Sequence, residues 1–394
     1  MKILYIINGL GFSQNTGIGG SDKRAVEVIR NTKLLDKKGS YDILTTISGY
    51  NIFTNDERLN TKYHVIDIPT IWPNAFKKNL FGRVLSYFFS TIKSLIWYKK
   101  FSEYDAFFAT SDFFFDILPA YFFKLIHKKK MICMVHHFIE SPSKRDGSLL
   151  INYLLYFSQK LSFWFIKITA DIIFVYETPE GEKIKENFFS NQISKVYKVK
   201  NGIDNTLIDK SPRSDKTYEA CFLGGLRYSK GIKEFVPIWK KIIKNHPNAK
   251  FVIIGGGSKE LVKELDREIT NNNLGKNIIL RGPLSGTNLY ETIKMCKVFL
   301  FPSHEEGWGI ALCEAMYCGL PVVCYNLPAY EIFGDRLKKV PKGSHDRLAK
   351  HVLEYLNSPK LIENDGLFLK NVAKNFTWKS IAQEELKLFR KLII

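Results

Sequence analysis

The chain has 394 residues, with 58 Lys and Arg against 39 Asp and Glu, so its formal net charge is +19. This length suits two domains rather than one hydrophobic core, and the ordinary apolar content excludes a disordered chain. No apolar run reaches the roughly 18 residues that would span a bilayer. The positive charge is spread over both halves of the chain, which favours anionic partners such as nucleotide phosphates or lipid headgroups.

Metal and disulfide frameworks are not expected from the cysteine pattern. The six cysteines form no CxxC pair, and no histidine cluster completes a zinc pattern. Most of them lie in apolar runs, so we expect buried, free thiols, which suits a reducing compartment.

The first part of the chain alternates strand and helix patterns, as in α/β proteins. A strand at residues 2–8 leads into a glycine-rich loop at 9–20, and a helix with Ser21 as N-cap is expected to follow. The loop lacks the dinucleotide fingerprint, because Gln14 stands where the third glycine should be. Nicotinamide binding is therefore not expected.

A basic amphipathic helix is predicted at residues 77–100, which contain six basic residues and no acid. Apolar side chains recur there at helical spacing, at Phe81, Leu85, Phe88, Ile92 and Leu95. This pattern is typical of a helix that binds an anionic membrane surface. The alternative is a core helix with solvated lysines, but the aromatic content exceeds what one packing stripe needs.

A strand pattern at residues 131–138 delivers His136 and His137 at its C-terminal end. Ligands gather at that end of the strands in open α/β sheets, so a histidine there is a candidate for ligand contact. A lone histidine can equally be structural, and both histidines remain candidates.

The second half of the chain begins after a polar, proline-containing linker, and we place the domain boundary near residue 205. A strand there ends at Gly225, after which Arg227 and Lys230 face the same loop. The triple glycine at 255–257 lacks a Walker pattern, so it does not indicate an ATPase.

The most informative segment runs from Phe301 to Tyr325, FPSHEEGWGIALCEAMYCGLPVVCY. It predicts a strand end, a polar loop, a short helix and another strand. The N–H groups and positive dipole end of the helix point at the loop, where phosphate is the natural occupant. Glu306 in the loop and Glu314 in the helix flank that position and can accept hydrogen bonds from polyols. A ligand with phosphates between two polyols fits this arrangement, and a nucleotide sugar is such a ligand.

This segment resembles the signature of retaining glycosyltransferases of family 4, in the glycosyl transferases group 1 class with the GT-B fold. That family carries two glutamates with seven residues between them, then a helix of the type seen here as EAMYCGLPVV. The resemblance implies two Rossmann-like α/β domains with doubly wound parallel sheets, facing across a cleft. The acceptor-binding domain would be 1–205 and the nucleotide-sugar-binding domain 206–377. A C-terminal helix at about 378–394 would cross back onto the first domain, or else lie on the surface of the second.

The resemblance also implies roles for individual residues. Glu306 would orient the donor sugar and Glu314 would hold the ribose. Lys230 would stabilise the diphosphate, and Arg227 would replace the arginine that the family carries where this chain has Gly225.

The full set of implied site residues comes from both halves of the chain. The catalytic residues would be Glu306, His136, Lys230 and Arg227, with His136 contacting the donor sugar. The donor-binding residues would be Gly19, Gly20, Gly225, Arg227, Lys230, Gly307, Trp308, Gly309, Ile310 and Glu314.

With the resemblance and the basic helix together, we expect transfer of a hexose from a nucleoside diphosphate sugar to a lipid-linked glycan or glycolipid, in cell-surface polysaccharide or glycoconjugate biosynthesis. Anomeric configuration would be retained, without an obligatory metal or other cofactor. The basic helix predicts a cytoplasmic enzyme, peripheral at the inner face of the plasma membrane. The nucleotide, the sugar and the oligomeric state stay open.

Other functions are weighed against this one. A soluble GT-B enzyme, such as a glucan synthase or a nucleotide-sugar epimerase, is the main alternative, and a non-catalytic sensor of sugar nucleotides is another. Nucleic-acid binding is not expected, because the chain has no recognition motif and its basic residues are not interleaved with a stacking platform.

Overall fold

The computed structural model describes residues 1–8, 20–53, 61–66, 80–145, 148–212 and 214–393, without the side chains of 48, 52, 80–87 and 144. The chain divides into two compact units. The N-terminal unit contains the described residues up to Lys200 and the helix that begins at Trp378, and the C-terminal unit contains Asn201–Thr377.

The N-terminal unit is built on a seven-stranded, wholly parallel sheet in the order β3-β2-β1-β4-β5-β6-β7. Its strands are β1 (Lys2–Ile7), β2 (Ser40–Thr46), β3 (Tyr63–Ile66), β4 (Ala106–Ala109), β5 (Lys130–Val135), β6 (Ile172–Tyr176) and β7 (Val196–Val199). The order reverses beside β1, which is the feature of a doubly wound sheet.

Helices cover both faces of this sheet, because right-handed crossovers on either side of β1 place them on opposite faces. They are α1 (Gly20–Leu35), α2 (Ile47–Phe53), α3 (Leu80–Ile96), α4 (Phe114–His127), α5 (Leu149–Thr169), α6 (Pro179–Phe189) and α14 (Trp378–Ile393). Strands β1, β4 and β6 in the middle of the sheet are almost entirely buried and apolar, as expected of a parallel sheet that is covered on both sides.

Alternate strand residues show which helix covers which face. Phe389 of α14 packs against Phe108 and Phe174, which point to one side of the sheet. Their neighbours Phe107 and Ile173 point to the other side, into a core that they share with residues of α4, α5 and α6. The C-terminal helix therefore packs within the N-terminal unit.

A buried ion pair anchors that helix. The Arg24 guanidinium of α1 pairs with the Glu385 carboxylate of α14, and both side chains are almost fully buried. Burial raises the pKa of the Glu385 carboxyl, and the Arg24 charge opposes that rise. Losing either partner would leave a buried, uncompensated charge.

The C-terminal unit is a second parallel α/β domain, with a six-stranded sheet in the order β10-β9-β8-β11-β12-β13. Its strands are β8 (Tyr218–Leu223), β9 (Phe251–Ile254), β10 (Ile278–Gly282), β11 (Cys296–Phe301), β12 (Val322–Tyr325) and β13 (Lys338–Val340). Its helices are α7 (Asn205–Lys210), α8 (Phe235–Ile242), α9 (Lys259–Asn271), α10 (Gly286–Lys294), α11 (Ile310–Tyr317), α12 (His345–Leu356) and α13 (Pro359–Ala373).

The two parallel sheets confirm the predicted α/β fold class, and β11, α11 and β12 confirm the predicted strand–loop–helix–strand segment. All six cysteines are free and all but the half-buried Cys318 are buried, as expected. Within the described residues, every helix is too short or too polar to serve as a bilayer span.

Candidate functional site

The central loop of the C-terminal unit connects β11 to α11. Gly309 begins the helix in a left-handed conformation, with φ of +98°. A Cβ atom at this position would lie 3.1 Å from Cε1 of Tyr330, so glycine is favoured by both conformation and space. As a glycine, this N-cap residue makes no side-chain hydrogen bond to the helix start. Its first-turn N–H groups are therefore suited to an anionic ligand.

Lys230 and Glu306, both predicted site residues, form an ion pair in this loop. The Lys230 ammonium donates to Glu306 Oε1 at 2.6 Å and to the Glu305 carbonyl at 3.0 Å. Both side chains are only partly exposed, at 25% for Lys230 and 12% for Glu306. An ammonium has three donors, so a further acceptor such as a phosphate oxygen can share it with the carboxylate.

The loop that carries Lys230 packs closely, backbone against backbone, on the loop that carries Glu306. Gly231, with φ of +76°, ends the short 3-10 turn Tyr228–Lys230, and a Cβ there would lie 2.1 Å from the Pro302 carbonyl oxygen. The Ser229 carbonyl accepts from the His304 N–H at 2.9 Å. Only glycine permits this close approach, so the position of the ammonium depends on backbone contacts as well as on its own ion pair.

A carboxylate that the sequence analysis did not select, Glu234, joins four chain segments beside this loop. It accepts hydrogen bonds from His304 Nε2 at 3.0 Å, from the Tyr325 hydroxyl at 2.7 Å and from His345 Nε2. Burial acts to raise its pKa, but these hydrogen bonds outweigh burial and hold the pKa at about 2. Glu234 is therefore ionised and fixes His304, two residues before Glu306.

Glu314, the predicted ribose contact, lies inside α11 and is 2% exposed. Its Oε1 accepts a hydrogen bond from the Tyr290 hydroxyl at 2.7 Å. Burial first, and then the Glu314 charge, raise the pKa of Tyr290 well above its ordinary value, so this hydroxyl stays protonated as a donor. The structure thus gives Glu314 an internal partner that the sequence did not indicate.

Trp308 and Ile310 flank Gly309 at the helix start. The Trp308 indole is 2% exposed and packs edge-on against Phe333 at 5.0 Å and Phe376 at 5.3 Å between ring centroids. Its side chain is therefore part of the core, and a ligand contact from this residue would come from its backbone. Ile310 is the first residue of α11 and is half-buried.

Gly225 and Arg227 lie close together after β8. A Cβ at Gly225 would be 3.6 Å from Arg227 Nε and otherwise close to no side chain, so the exposed Arg227 passes over the glycine. Gly255 makes a tighter contact on the adjacent loop, because a Cβ there would lie 1.9 Å from the Gly224 carbonyl oxygen. The glycines let these two strand-end loops meet, and Arg227 lies beside Gly225 as the sequence spacing allows.

In the N-terminal unit, His136 follows β5 directly, and both of its ring nitrogens have partners. Nε2 lies 2.8 Å from the Thr110 carbonyl and Nδ1 lies 2.9 Å from the Tyr176 hydroxyl. Since a carbonyl only accepts, Nε2 donates and Nδ1 accepts from Tyr176. Burial lowers the pKa of His136 to about 3, so the ring is neutral at pH 7. A sugar hydroxyl at Nδ1 would have to replace Tyr176.

His137 and two buried aspartates complete this strand-end cluster. Gln159 of α5 donates to the His137 carbonyl at 2.8 Å and to Asp112 Oδ2 at 2.6 Å. Asp116 accepts from the Asn8 N–H at 2.7 Å, and burial raises its pKa to about 7, although its hydrogen bonds oppose the rise. Asp112 lies three residues after the end of β4, and this position near a strand end was the signal by which the sequence could have indicated it.

The remaining predicted site residues lie in the glycine-rich loops. Gly20 is exposed and is the first residue of α1, whereas Gly19 lies outside the described residues. Gly307 lies in the loop between Glu306 and Trp308 and is half-buried. In the C-terminal unit, the structure therefore brings Lys230 and Glu306 together at the start of α11, with Arg227 beside Gly225 on the loop that leads to Lys230.

Comparison with known proteins agrees with this geometry. Residues 204–366 match the model of the family described as "Glycosyl transferases group 1". The uncharacterized glycosyltransferase MJ1069 of Methanocaldococcus jannaschii is 24% identical, over 95% of this chain and 96% of that protein. The alpha-monoglucosyldiacylglycerol synthase of Acholeplasma laidlawii is also 24% identical, over 54% of this chain and 52% of that protein.

A solved structure shares the fold over the full length. Anabaena Alr3699/HepE, crystallised in complex with UDP and glucose, superposes with a TM-score of 0.76 at 15% identity, and the match covers 100% of both chains. This likeness shows the GT-B fold for the whole chain, and residues 204–366 carry the match to the glycosyl transferases group 1 family.

Proposed function

We propose that the protein is a retaining hexosyltransferase that uses a nucleoside diphosphate sugar. Its acceptor is a hydroxyl of a lipid-linked glycan or glycolipid, and its product enters cell-surface polysaccharide or glycoconjugate biosynthesis. The observation that carries the proposal is the Lys230–Glu306 pair, 2.6 Å apart, beside the uncapped start of α11. It places a fixed cation, a fixed carboxylate and free N–H groups in one loop.

In the proposed reaction, departure of the nucleoside diphosphate builds negative charge on its phosphates. Lys230, the α11 helix start and Arg227 offset that charge, and this electrostatic stabilisation makes a metal unnecessary. Glu306 orients the donor sugar by accepting from its hydroxyls, while its partial hold on Lys230 keeps the ammonium in place. Glu314 holds the ribose through its carboxylate, which also accepts from Tyr290.

Retention follows in this proposal from attack on the face that the diphosphate leaves. The departing phosphate oxygen takes the proton of the acceptor hydroxyl, so no separate general base is required. His136 contacts the donor sugar, and Gly19 and Gly20 bring backbone amides near the donor phosphates. These three contacts are inferred from the family resemblance.

The lipid acceptor is supported by the names of relatives. Besides the Acholeplasma laidlawii synthase, an alpha-galactosylglucosyldiacylglycerol synthase of Streptococcus pneumoniae is 23% identical over 45% of this chain and 47% of that protein. We propose that residues 77–100 contact an anionic membrane surface, at the inner face of the plasma membrane. In the described part of this segment, the ammonium of Lys100 lies 4.3 Å from the Trp97 ring centroid, and Lys99 is exposed.

A thermal-shift panel of UDP-, GDP- and ADP-sugars tests the donor. A donor at 100 times its Kd should stabilise the protein by about 2.7 kcal/mol, and one nucleotide should stand out. Incubation of that donor with lipid acceptors, followed by NMR of the product's anomeric proton, tests transfer and retention. An inverted product contradicts the mechanism. Transfer to soluble glucan alone, epimerised donor, or binding without turnover would favour the alternatives.

A further inference from the structure

Helix α5 presents an apolar face to solvent. Six large apolar side chains of this helix, spaced alternately four and three residues apart, are exposed. Their exposed fractions range from 65% for Leu150 to 46% for Leu161. We call this set the apolar helix face; its members are Leu150, Leu154, Phe157, Leu161, Trp164 and Ile168. The buried side of the same helix includes the polar residues Asn152, Gln159 and Ser162. A surface helix of a globular protein normally has the opposite arrangement.

Helix α3 shows the same inversion in its described part. Ser90, Thr91 and Ser94 are buried, whereas Phe88 and Ile96 are exposed. Helix α4 packs against both α3 and α5 and adds exposed Leu125 and Ile126. All three helices lie on the same face of the sheet, because each belongs to a crossover that runs in the same direction. Their outward sides therefore form one surface of the N-terminal unit.

The exposed charges on the three helices themselves have one sign, although Asp105 and Asp171 lie in the loops beside the helix ends. Helices α3, α4 and α5 contain a single acid, Asp116, and it is buried. Lysines gather where the three helices end, at a lysine rim formed by Lys99, Lys100, Lys128, Lys129, Lys130 and Lys167.

Two contacts hold the helix ends of the rim together. His127 of α4 lies 2.9 Å from the Tyr98 carbonyl that follows α3, and Lys124 of α4 bonds to the Thr169 carbonyl that ends α5. A shallow depression of about 520 Å³ lies there, lined by Lys124, Lys128, Lys129 and Lys130 with Asp105 and Asp171.

We infer that the apolar helix face of α5 inserts into one leaflet of a bilayer, with the lysine rim at the level of anionic headgroups. Burial of large apolar side chains in the acyl boundary and attraction of lysines to anionic lipids are the two sources of interfacial binding. Tyr156, with the Lys160 ammonium 4.5 Å from its ring centroid, and Trp164 are of the residue types that lie at membrane interfaces. The inference deepens the proposed membrane contact and rests on it, but it assigns insertion to α5 rather than to residues 77–100.

Charge argues against a second copy of the chain as the occupant. Lys160 and Lys167 flank the apolar helix face, and α5 has no acid. Pairing two such faces would bring lysines against lysines without a counter-charge, which disfavours a helix pair. An anionic lipid surface complements the same lysines.

Flotation of the full-length protein with vesicles tests the inference, using phosphatidylcholine alone and phosphatidylcholine with about one-third phosphatidylglycerol. Replacing Leu154, Phe157 and Leu161 together by serine should lower partitioning into the anionic vesicles by at least about tenfold. The matched control replaces Leu34, Leu367 and Phe368 by serine; these side chains have similar exposure but belong to α1 and α13, outside the surface, and partitioning should not change. Thermal unfolding checks that both variants fold.

Quenching of tryptophan fluorescence by lipids that are brominated in the acyl chain tests insertion, by comparing the wild type with the single variant Trp164→Phe. Quenching should be strong in the wild type and largely lost in Trp164→Phe.

Equal flotation of the α5 variant and the wild type would overturn the inference. If only neutralising Lys93, Lys99 and Lys100 abolishes binding, the inference fails while the proposed membrane contact stands. If the wild type binds no vesicle, both fail, and a dimer by light scattering that the serine variant dissociates would assign the face to a second copy.

Discussion

The strand-end clusters of the two units differ in charge. In the C-terminal unit, Lys230 and Glu306 form an ion pair, and hydrogen bonds from His304, Tyr325 and His345 hold the pKa of Glu234 at about 2. In the N-terminal unit, burial raises the pKa of Asp116 to about 7 and lowers that of His136 to about 3. The same sheet position can thus be charged or close to neutral, and the partners of each group decide which. We expect the charged cluster to bind the diphosphate.

The role of the charged cluster in the C-terminal unit is tested most directly by Lys230→Ala. The variant should lower kcat by about a hundredfold or more, because the ammonium opposes charge that develops on the leaving group. Steady-state kinetics with the donor found in the thermal-shift panel measures it. Lys240→Ala, which removes an exposed lysine whose ammonium bonds to Asn272 Oδ1, is the control. A kcat within twofold of the wild type would remove Lys230 from the mechanism.

The ribose role of Glu314 is tested by its donor KM. Glu314→Ala should raise the KM through loss of contacts that are together equivalent to about 1–3 kcal/mol. Tyr290→Phe separates this role from the internal hydrogen bond, because it removes the Tyr290 donor and keeps the carboxylate. An equal rise of KM in both variants would mean that Glu314 acts only by bonding to Tyr290.

Asp116 should make the N-terminal unit less stable as the pH rises. Its folded pKa of about 7 lies above the ordinary 3.8, so the folded state holds the proton more tightly. The stabilisation is complete below about pH 4 and is lost as the pH rises towards 7. Asp116→Asn, which stays neutral, should gain at least about 1 kcal/mol over the wild type at pH 7 relative to pH 4. Urea denaturation measures the unfolding free energy of both proteins at the two pH values. An equal difference between variant and wild type at pH 4 and pH 7 would contradict this prediction.

Glu234 should produce the opposite, smaller dependence in the C-terminal unit. Its folded pKa of about 2 lies below the ordinary 4.5, so its stabilisation is present above about pH 4.5 and is lost as the pH falls towards 2. Glu234→Gln should reduce this loss of unfolding free energy at low pH by about 1 kcal/mol. The effect is small because the group is only half-buried and solvent screens it. Acid titration of unfolding, followed by tryptophan fluorescence, measures the slope. An unchanged acid limb in the variant would assign it to other carboxylates.

The fold was predictable because it depends on local patterns. Short apolar runs marked β1, β5, β6 and β11, and the signature segment marked α11. These patterns reflect the periodicity and termini of the elements themselves. The family resemblance of the signature then supplied the pairing of two parallel-sheet domains, which no single segment shows.

The site was predictable only in its residue types. Lys230 and Glu306 were selected separately, and their ion pair depends on two loops that meet because Gly231 allows contact with Pro302. Trp308 was selected for its place in the signature, yet its side chain packs among Phe333 and Phe376. Glu234 was not selected, because its partner His345 lies 111 residues away in the sequence.

The exposed face of α5 was also beyond prediction from its sequence. The segment reads as an apolar run interrupted by polar residues, and nothing in it indicates that Asn152 and Gln159 turn inward while Phe157 and Trp164 turn outward. Gln159 points inward because its amide bonds to Asp112 and to the His137 carbonyl. A tertiary hydrogen bond thus set the rotation of the helix.

By itself, the sequence determined which segments form strands and helices, where α11 begins, and that the chain carries a glycosyltransferase signature. Those properties follow from side-chain periodicity, helix-end chemistry and residue spacing, all of which are local. Only the tertiary structure decided which charged groups are paired, which are neutral and which apolar side chains face solvent. These depend on burial and on partners from distant segments, since a group's pKa and exposure belong to its surroundings rather than to its residue type.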